Sequence, residues 1–182
     1  MKRIGVVSDT HLRASSTRGL PREVFEAFQD LDLILHAGDF TVPSVLETLN
    51  ALAPVIAVRG NNDFGELRDL PLSLRVEIEE VVVGLVHGDE AAFGRRAMPL
   101  SQANGNRQTA ANAISHFEHD GDVDCIVFGH SHHPLLLDHE IEERKVLLLN
   151  PGSPTDKRYS SHHGCALLKV DGDKIEPQLI TW

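Results

Sequence analysis

Seven side chains able to bind a metal ion follow directly on five apolar, strand-like runs, and that phase constrains the fold more than any other feature of the chain. The runs are Arg3 to Ser8, Asp32 to His36, Pro54 to Arg59, Val81 to Val86 and Val123 to Phe128. The residues behind them are Asp9 and His11, Asp39, Asn61, His87, and His130 with His132. In an α/β sheet, ligands collect beyond the carboxyl ends of strands. Histidines scattered at random would not keep that register, so the pattern predicts an active site assembled along one sheet edge.

Helix and strand signals alternate through the first part of the chain. Pro21 stands where a first helical turn would begin, ahead of Val24, Phe25, Phe28 and Leu31 at helical spacing. Pro43 does the same for Val45, Leu46, Leu49 and Leu52, and a third helix is expected from about Arg107 to His119. Strand, helix, strand, helix, strand implies parallel βαβ units. Ser73 to Glu79 and Val81 to His87 are joined too tightly for a crossover and must pair antiparallel. Lys145 to Leu149, Gly164 to Val170 and Lys174 to Ile180 read as strands, the last two joined by the hairpin signal Asp171-Gly172. The expected fold is α/β, two packed mixed β-sheets flanked by helices, as one domain over residues 1–182. The irregular stretch Gly88 to Asn106, with Arg95, Arg96, Met98 and Pro99, leaves directly from His87 and is either a lid carrying arginine to a substrate or a surface excursion.

With 182 residues, 41% of them hydrophobic, the chain can bury a sizeable core. Its formal net charge of −10 disfavours binding to nucleic acid, which rests on neutralising phosphates with Lys and Arg. No signal-peptide pattern and no apolar run long enough to span a membrane is visible, so a cytoplasmic location is expected. Cys125 and Cys165 sit inside apolar runs and read as small buried hydrophobes.

The ligand types narrow the chemistry. Asp9 and His11, two residues apart at a strand end, can both turn toward one ion, and the Asp39 carboxylate can bridge two. Asn61 offers a weak carbonyl ligand that suits a crowded second ion, and His87, His130 and His132 add neutral nitrogens. A mixed oxygen and imidazole set without thiolate favours Mn, Fe, Ni or Zn in an octahedral site over a structural zinc. The set is too large for one ion.

Asp9-x-His11, Gly38-Asp39, Gly60-Asn61-x-Asp63, His87-Gly88 and Gly129-His130-Ser131-His132 resemble, in order, the five motifs of the calcineurin-like metallophosphoesterases. With Asn150-Pro151-Gly152-Ser153 the chain is most similar to the small single-domain branch, which holds bacterial and archaeal phosphodiesterases and the retromer subunit Vps29. The resemblance implies two divalent metal ions, Mn preferred and Ni, Fe, Zn or Mg compatible. One would take Asp9, His11, Asp39 and His132, the other Asp39, Asn61, His87 and His130. It implies hydrolysis of a phosphodiester by a metal-bridging hydroxide. Where many members carry His after the motif asparagine, this chain has Asn62, which has no proton to give but can donate an amide hydrogen bond to phosphate. Asn62 and Asp63 are thus the catalytic candidates beside the metal ligands, with Asp63 either orienting or structural.

A small phosphate ester is the expected substrate, and a homo-oligomer is compatible with a small enzyme of this kind. The competing readings are a Vps29-like docking scaffold that keeps its metal sites, a phosphomonoesterase and a nuclease. His36 reads as a core or supporting residue. His116, His119, His139, His162 and His163 read as surface residues, and His133 as a neighbour of ligands. Asn150 to Ser153 is either a simple turn or a phosphate-proximal loop, and Arg158 is a weaker candidate for phosphate contact.

Overall fold

Apolar residues fill both faces of the central strands, and this sets the layering. The computed structural model describes residues 1–13, 19–89, 105–117, 123–141 and 143–182. One sheet holds β1 (Lys2–Val7), β2 (Leu33–His36), β3 (Val55–Ala57), β9 (Gly164–Asp171) and β10 (Lys174–Thr181) in the order β10-β9-β1-β2-β3. The other holds β4 (Ser73–Ile78), β5 (Val81–Val86), β6 (Cys125–Val127), β7 (Leu135–Ile141) and β8 (Arg144–Asn150) in the order β4-β5-β6-β8-β7.

The two sheets face each other across one core. Ile4, Val6, Leu35 and Leu168 from the first meet Val83, Leu85, Val127 and Leu149 from the second. On its outer face the first sheet, through Val7, Ile34 and Leu167, packs on α1 (Arg22–Ala27) and α2 (Pro43–Asn50), which contribute Val24, Val45 and Leu49. The second covers Val86, Ile126 and Leu148 with Ala110, Ala113 and Phe117 of α3 (Gly105–Phe117). Burial on both faces explains why these strands read as continuous apolar runs rather than alternating ones.

β1, β2 and β3 are parallel, as are β5, β6 and β8. Parallel strands present their carboxyl ends together, so the loops after β1, β2, β3, β5, β6 and β8 reach one rim. The expected antiparallel pairs β4–β5 and β9–β10 form, the latter turning at Gly172 with φ +61°.

Some boundaries differ from expectation. Pro43 opens α2 at a first-turn position, whereas Pro21 caps α1, and α1 ends before Phe28 and Leu31, which pack against the sheet from the following turn. α3 starts two residues earlier than its periodicity suggested, and His119 lies outside the described residues. Two elements were not anticipated: the 3₁₀ turn Gly65–Asp69 and the edge strand β7, whose Asp138, His139 and Glu140 interrupt the apolar pattern. The interior of the Gly88 to Asn106 excursion, with Arg95, Arg96, Met98 and Pro99, also lies outside the described residues.

Candidate metal centre

The rim brings all seven expected ligand residues into one cluster. Asp9 and Asp39 are buried beneath it, His87 and His132 are buried in its walls, and Asn61 is exposed at its mouth. Around Asp9, His132 Nε2 lies 3.2 Å and His11 Nε2 3.8 Å from Oδ1, and the two imidazole nitrogens are 3.2 Å apart. Around Asp39 Oδ2, His11 Nε2 lies at 3.2 Å and His87 Nε2 at 3.4 Å. Asn61 Oδ1 completes the second group, 3.2 Å from His87 Nε2 and 3.1 Å from His130 Nδ1.

These residues fit a metal on several independent grounds. Donor atoms each about 2.1 Å from one ion and at right angles would stand about 3 Å apart, close to the spacings seen. Asp9, His11 and His132 form one group whose ligand atoms converge, and Asp9, Asp39 and His87 another. Asp9 Oδ1 is buried without a hydrogen-bond partner among the described residues, a cost that a cation would remove. His87 turns Nδ1–H to the Ala37 carbonyl at 2.7 Å, and His132 turns Nδ1–H to the Asp156 carbonyl, leaving both Nε2 atoms facing the site. Such outer hydrogen bonds orient ligating imidazoles and fix their tautomer.

The backbone is shaped for this convergence. Asp9, His11, Asp39, His130 and His132 all take positive φ, between +39° and +64°, a region non-glycine residues rarely occupy. Each costs roughly 1–3 kcal/mol, and the turn it makes carries the side chain back over the strand end. Two glycines permit the close approach: a Cβ at Gly60 would stand 2.6 Å from Asp39 N, and one at Gly129 would stand 2.6 Å from Asp9 Oδ2.

Charges inside the cluster are strongly coupled. Burial opposes ionisation of Asp39, but the charge of His87 and hydrogen bonds from His11, His87 and Asn62 hold its carboxyl well below the usual range. Asp9 is lowered likewise, against burial, by His132 and His11. Burial works against charge on His11 and His87, yet Asp39 and Asp9 outweigh it and push them up to about 9 and about 10. Burial together with the charge of His87 drops His130 to about 4.

Asn62 turns its amide to Asp39 rather than to open space, whereas Asp63 takes the structural one of the two roles expected of it. Asn62 donates from its backbone to Asp39 Oδ1 at 2.8 Å and from Nδ2 to Asp39 Oδ2 at 2.7 Å, so its amide is aimed at a carboxylate. Asp63 is buried, and its carboxylate accepts three backbone N–H groups: Asp39 and Gly60 at 2.9 and 2.8 Å on Oδ2, and Thr41 at 2.9 Å on Oδ1. Asp63 therefore ties the loop after β2 to the loop after β3.

The turn after β8 is likewise a support. Asn150 donates to Gly129 O at 2.8 Å, and Ser153 Oγ donates to Asp9 O at 2.7 Å while accepting from Asp156 N at 2.9 Å. Arg158 brings Nη2 to 3.4 Å from His11 Nε2. Sequence reasoning missed Ser8, whose hydroxyl donates to Asp9 Oδ2 at 2.7 Å, and Asp156; neither carries a motif signal. His36 is the core residue expected: fully buried, stacked on Phe40 with centroids 3.5 Å apart, accepting from Gly38 N and lowered by burial to about 3. His162 is exposed, but His116, His139 and His163 are half-buried. Cys125 and Cys165 are free and buried.

The model of the calcineurin-like phosphoesterase superfamily domain matches residues 1–173. The chain belongs to that superfamily. A probable metallophosphoesterase of Methanothermobacter thermautotrophicus is 38% identical over 179 residues, covering 97% of this chain and 91% of that protein. Among solved structures, wild-type Vps29 of Entamoeba histolytica complexed with zinc superposes with a TM-score of 0.67 at 19% identity, over 98% of each chain. A novel archaeal phosphodiesterase gives 0.62 at 21% identity, over 98% of this chain and 99% of that one. The calcineurin-like fold, two mixed sheets between helices, is thus shared across relatives of very different sequence. No helix among the described residues is long and apolar enough to cross a membrane.

Proposed function

We propose that this calcineurin-like protein is a two-metal phosphodiesterase acting on a small phosphate ester in the cytoplasm, with Mn the preferred ion and Ni, Fe, Zn or Mg compatible. The observation that carries this reading is buried Asp39 standing between the two groups, its Oδ2 3.2 Å from His11 Nε2 and 3.4 Å from His87 Nε2, together with the orphaned oxygen of Asp9. Asp9, His11, Asp39 and His132 would hold one ion, and Asp39, Asn61, His87 and His130 the other. When bound, such a pair lowers the pKa of water toward neutrality and offsets charge on phosphate oxygens.

The chain's own residues do the rest. Asp39 fixes the separation of the two halves, and its two hydrogen bonds from Asn62 hold its carboxylate plane. Ser8 and the His130 backbone N–H do the same for Asp9 Oδ2. Arg158, whose Nη2 lies 3.4 Å from His11 Nε2, would meet a phosphate oxygen at the mouth. Asn62 cannot protonate a departing alcohol, so esters with acidic leaving groups should react best.

The test is to strip the protein with chelator, restore Mn, Ni, Zn or Mg singly, and compare bis-p-nitrophenyl phosphate with p-nitrophenyl phosphate. Metal-dependent diester turnover that Asp39→Asn abolishes is expected. Silence with every ion, despite two bound per chain, would instead favour the scaffold reading that the likeness of fold to Vps29 supports.

A further inference from the structure

Two clefts open from the metal centre, and they differ in size and character. One, of about 290 Å³, starts at Asn61 and is lined by Arg59, Arg68 and Leu72. The other, of about 760 Å³, starts at His11 and runs between Leu12, Pro21 and Pro154 to Trp182. A diester carries a group on each side of its phosphorus, and the larger cleft falls within the usual size of ligand sites.

We propose that the cleft beside His11 is the subsite for a nucleoside-type group of the substrate, a flat heterocycle seated against Trp182. This deepens the phosphodiesterase reading and rests on it. The far wall is aromatic: the rings of His163 and Trp182 stack with centroids 6.2 Å apart and planes at 28°. Trp182 is held in place by reciprocal backbone hydrogen bonds with His163, 3.0 and 3.3 Å long, at the end of the β9–β10 hairpin. The near wall, Pro154 to Asp156, is tied to the centre itself, because Thr155 donates to Thr10 O and His132 donates to Asp156 O. Wall and reacting centre are thus braced together, as positioning requires.

The chemistry of the lining selects the ligand. Proline and leucine flanks with an indole suit a planar aromatic body, while Arg13 and Asp156 at the edges offer a donor and an acceptor to ring nitrogens and carbonyls. An acyl chain would leave the Arg13 guanidinium unused, while Asp156 already accepts from Arg158 N at 3.2 Å.

Trp182 is the one tryptophan of the chain and reports on its own cleft. The experiment compares p-nitrophenyl thymidine 5′-phosphate with methyl p-nitrophenyl phosphate in the wild type, Trp182→Ala, Trp182→Phe and Gly19→Leu. Gly19 lines the cleft, and a Cβ there would meet no described residue within 4 Å, so a leucine side chain can be grown from it to narrow the cleft. The kcat/KM ratio of nucleotidyl to methyl ester should fall on the order of 10-fold in Trp182→Ala and Gly19→Leu, and less in Trp182→Phe, given what base stacking contributes. Adenosine monophosphate should quench Trp182 fluorescence saturably in the wild type and not in Gly19→Leu. Saturable quenching without hydrolysis of either ester would support the cleft while overturning the phosphodiesterase reading. Hydrolysis of both esters with an unchanged ratio and no quenching would overturn the cleft alone.

Discussion

Replacing Asp63 with alanine tests whether the centre is built by its supports as much as by its ligands. The Asp63 carboxylate accepts three backbone N–H bonds of 2.8 to 2.9 Å, from Asp39, Thr41 and Gly60, and the residue is 3% exposed. Hydrogen bonds to a charged acceptor contribute roughly 1.5–3 kcal/mol each, and the low end of that range for three bonds gives about 4–5 kcal/mol. For a chain of this length 1 kcal/mol moves Tm by about 2–4 °C, so Asp63→Ala should melt about 8–20 °C lower. Asp63→Asn keeps an acceptor for two of the amides but turns an NH₂ toward the third, so it should fall between alanine and wild type. The melts are followed by circular dichroism, and metal content is measured after dialysis. Asp63→Ala should lose metal as well as stability, because the amide of Asp39 is among those released, and Asp63→Asn should lose less metal, because Asp39 N keeps its acceptor. An Asp63→Ala protein within about 1 kcal/mol of wild type would refute the reasoning.

Three further outcomes follow from the same geometry. Ser153→Ala removes a donor to Asp9 O and an acceptor for Asp156 N, and should cost about 2 kcal/mol and weaken metal binding on the His11 and His132 side, checked by thermal melts and metal titration. Gly60→Ala places a Cβ 2.6 Å from Asp39 N, so its metal content after dialysis should drop at least about 10-fold in affinity; unchanged retention would show that the loop yields freely. His11 and His87, at about 9 and about 10 in the metal-free protein, are raised above their unfolded value of about 6.5, so their stabilisation is complete below about pH 6.5 and is lost as pH climbs through 9 to 10. A metal must displace both protons at pH 7, so apparent affinity should rise with pH, and calorimetry in buffers of different ionisation enthalpy should show about two protons released per metal pair.

The ligand positions could be read from the sequence because strand direction and ligand placement share a cause. A parallel strand buried on both faces must be apolar throughout, so the first polar residues past its end mark the rim; Val7 to Ser8-Asp9 and Val86 to His87 are such transitions. The supports escaped notice for the converse reason. Ser8 and Asp156 act through a single hydroxyl and a single carbonyl, on an immediate neighbour and on His132 24 positions away, and hydrogen bonds of that kind leave no periodicity; Ser153, marked in the sequence only as part of a turn, reaches Asp9 144 positions away. Edge strand β7 was hidden because Asp138, His139 and Glu140 cut its apolar run short after Leu137. Asn62 and Asp63 show the limit most clearly. Motif position made both catalytic candidates and left Asp63 open between an orienting and a structural role; which way a side chain faces depends on the turn that carries it, and here the turn after β3 points Asn62 at Asp39 and Asp63 at three amides. The same turn explains why a carboxylate stands at position 63 at all. Five ligand residues held at positive φ store several kcal/mol of strain, and the loop that presents Asp39 stays in that state because Asp63 bonds the N–H groups on both sides of the residue that precedes Thr41.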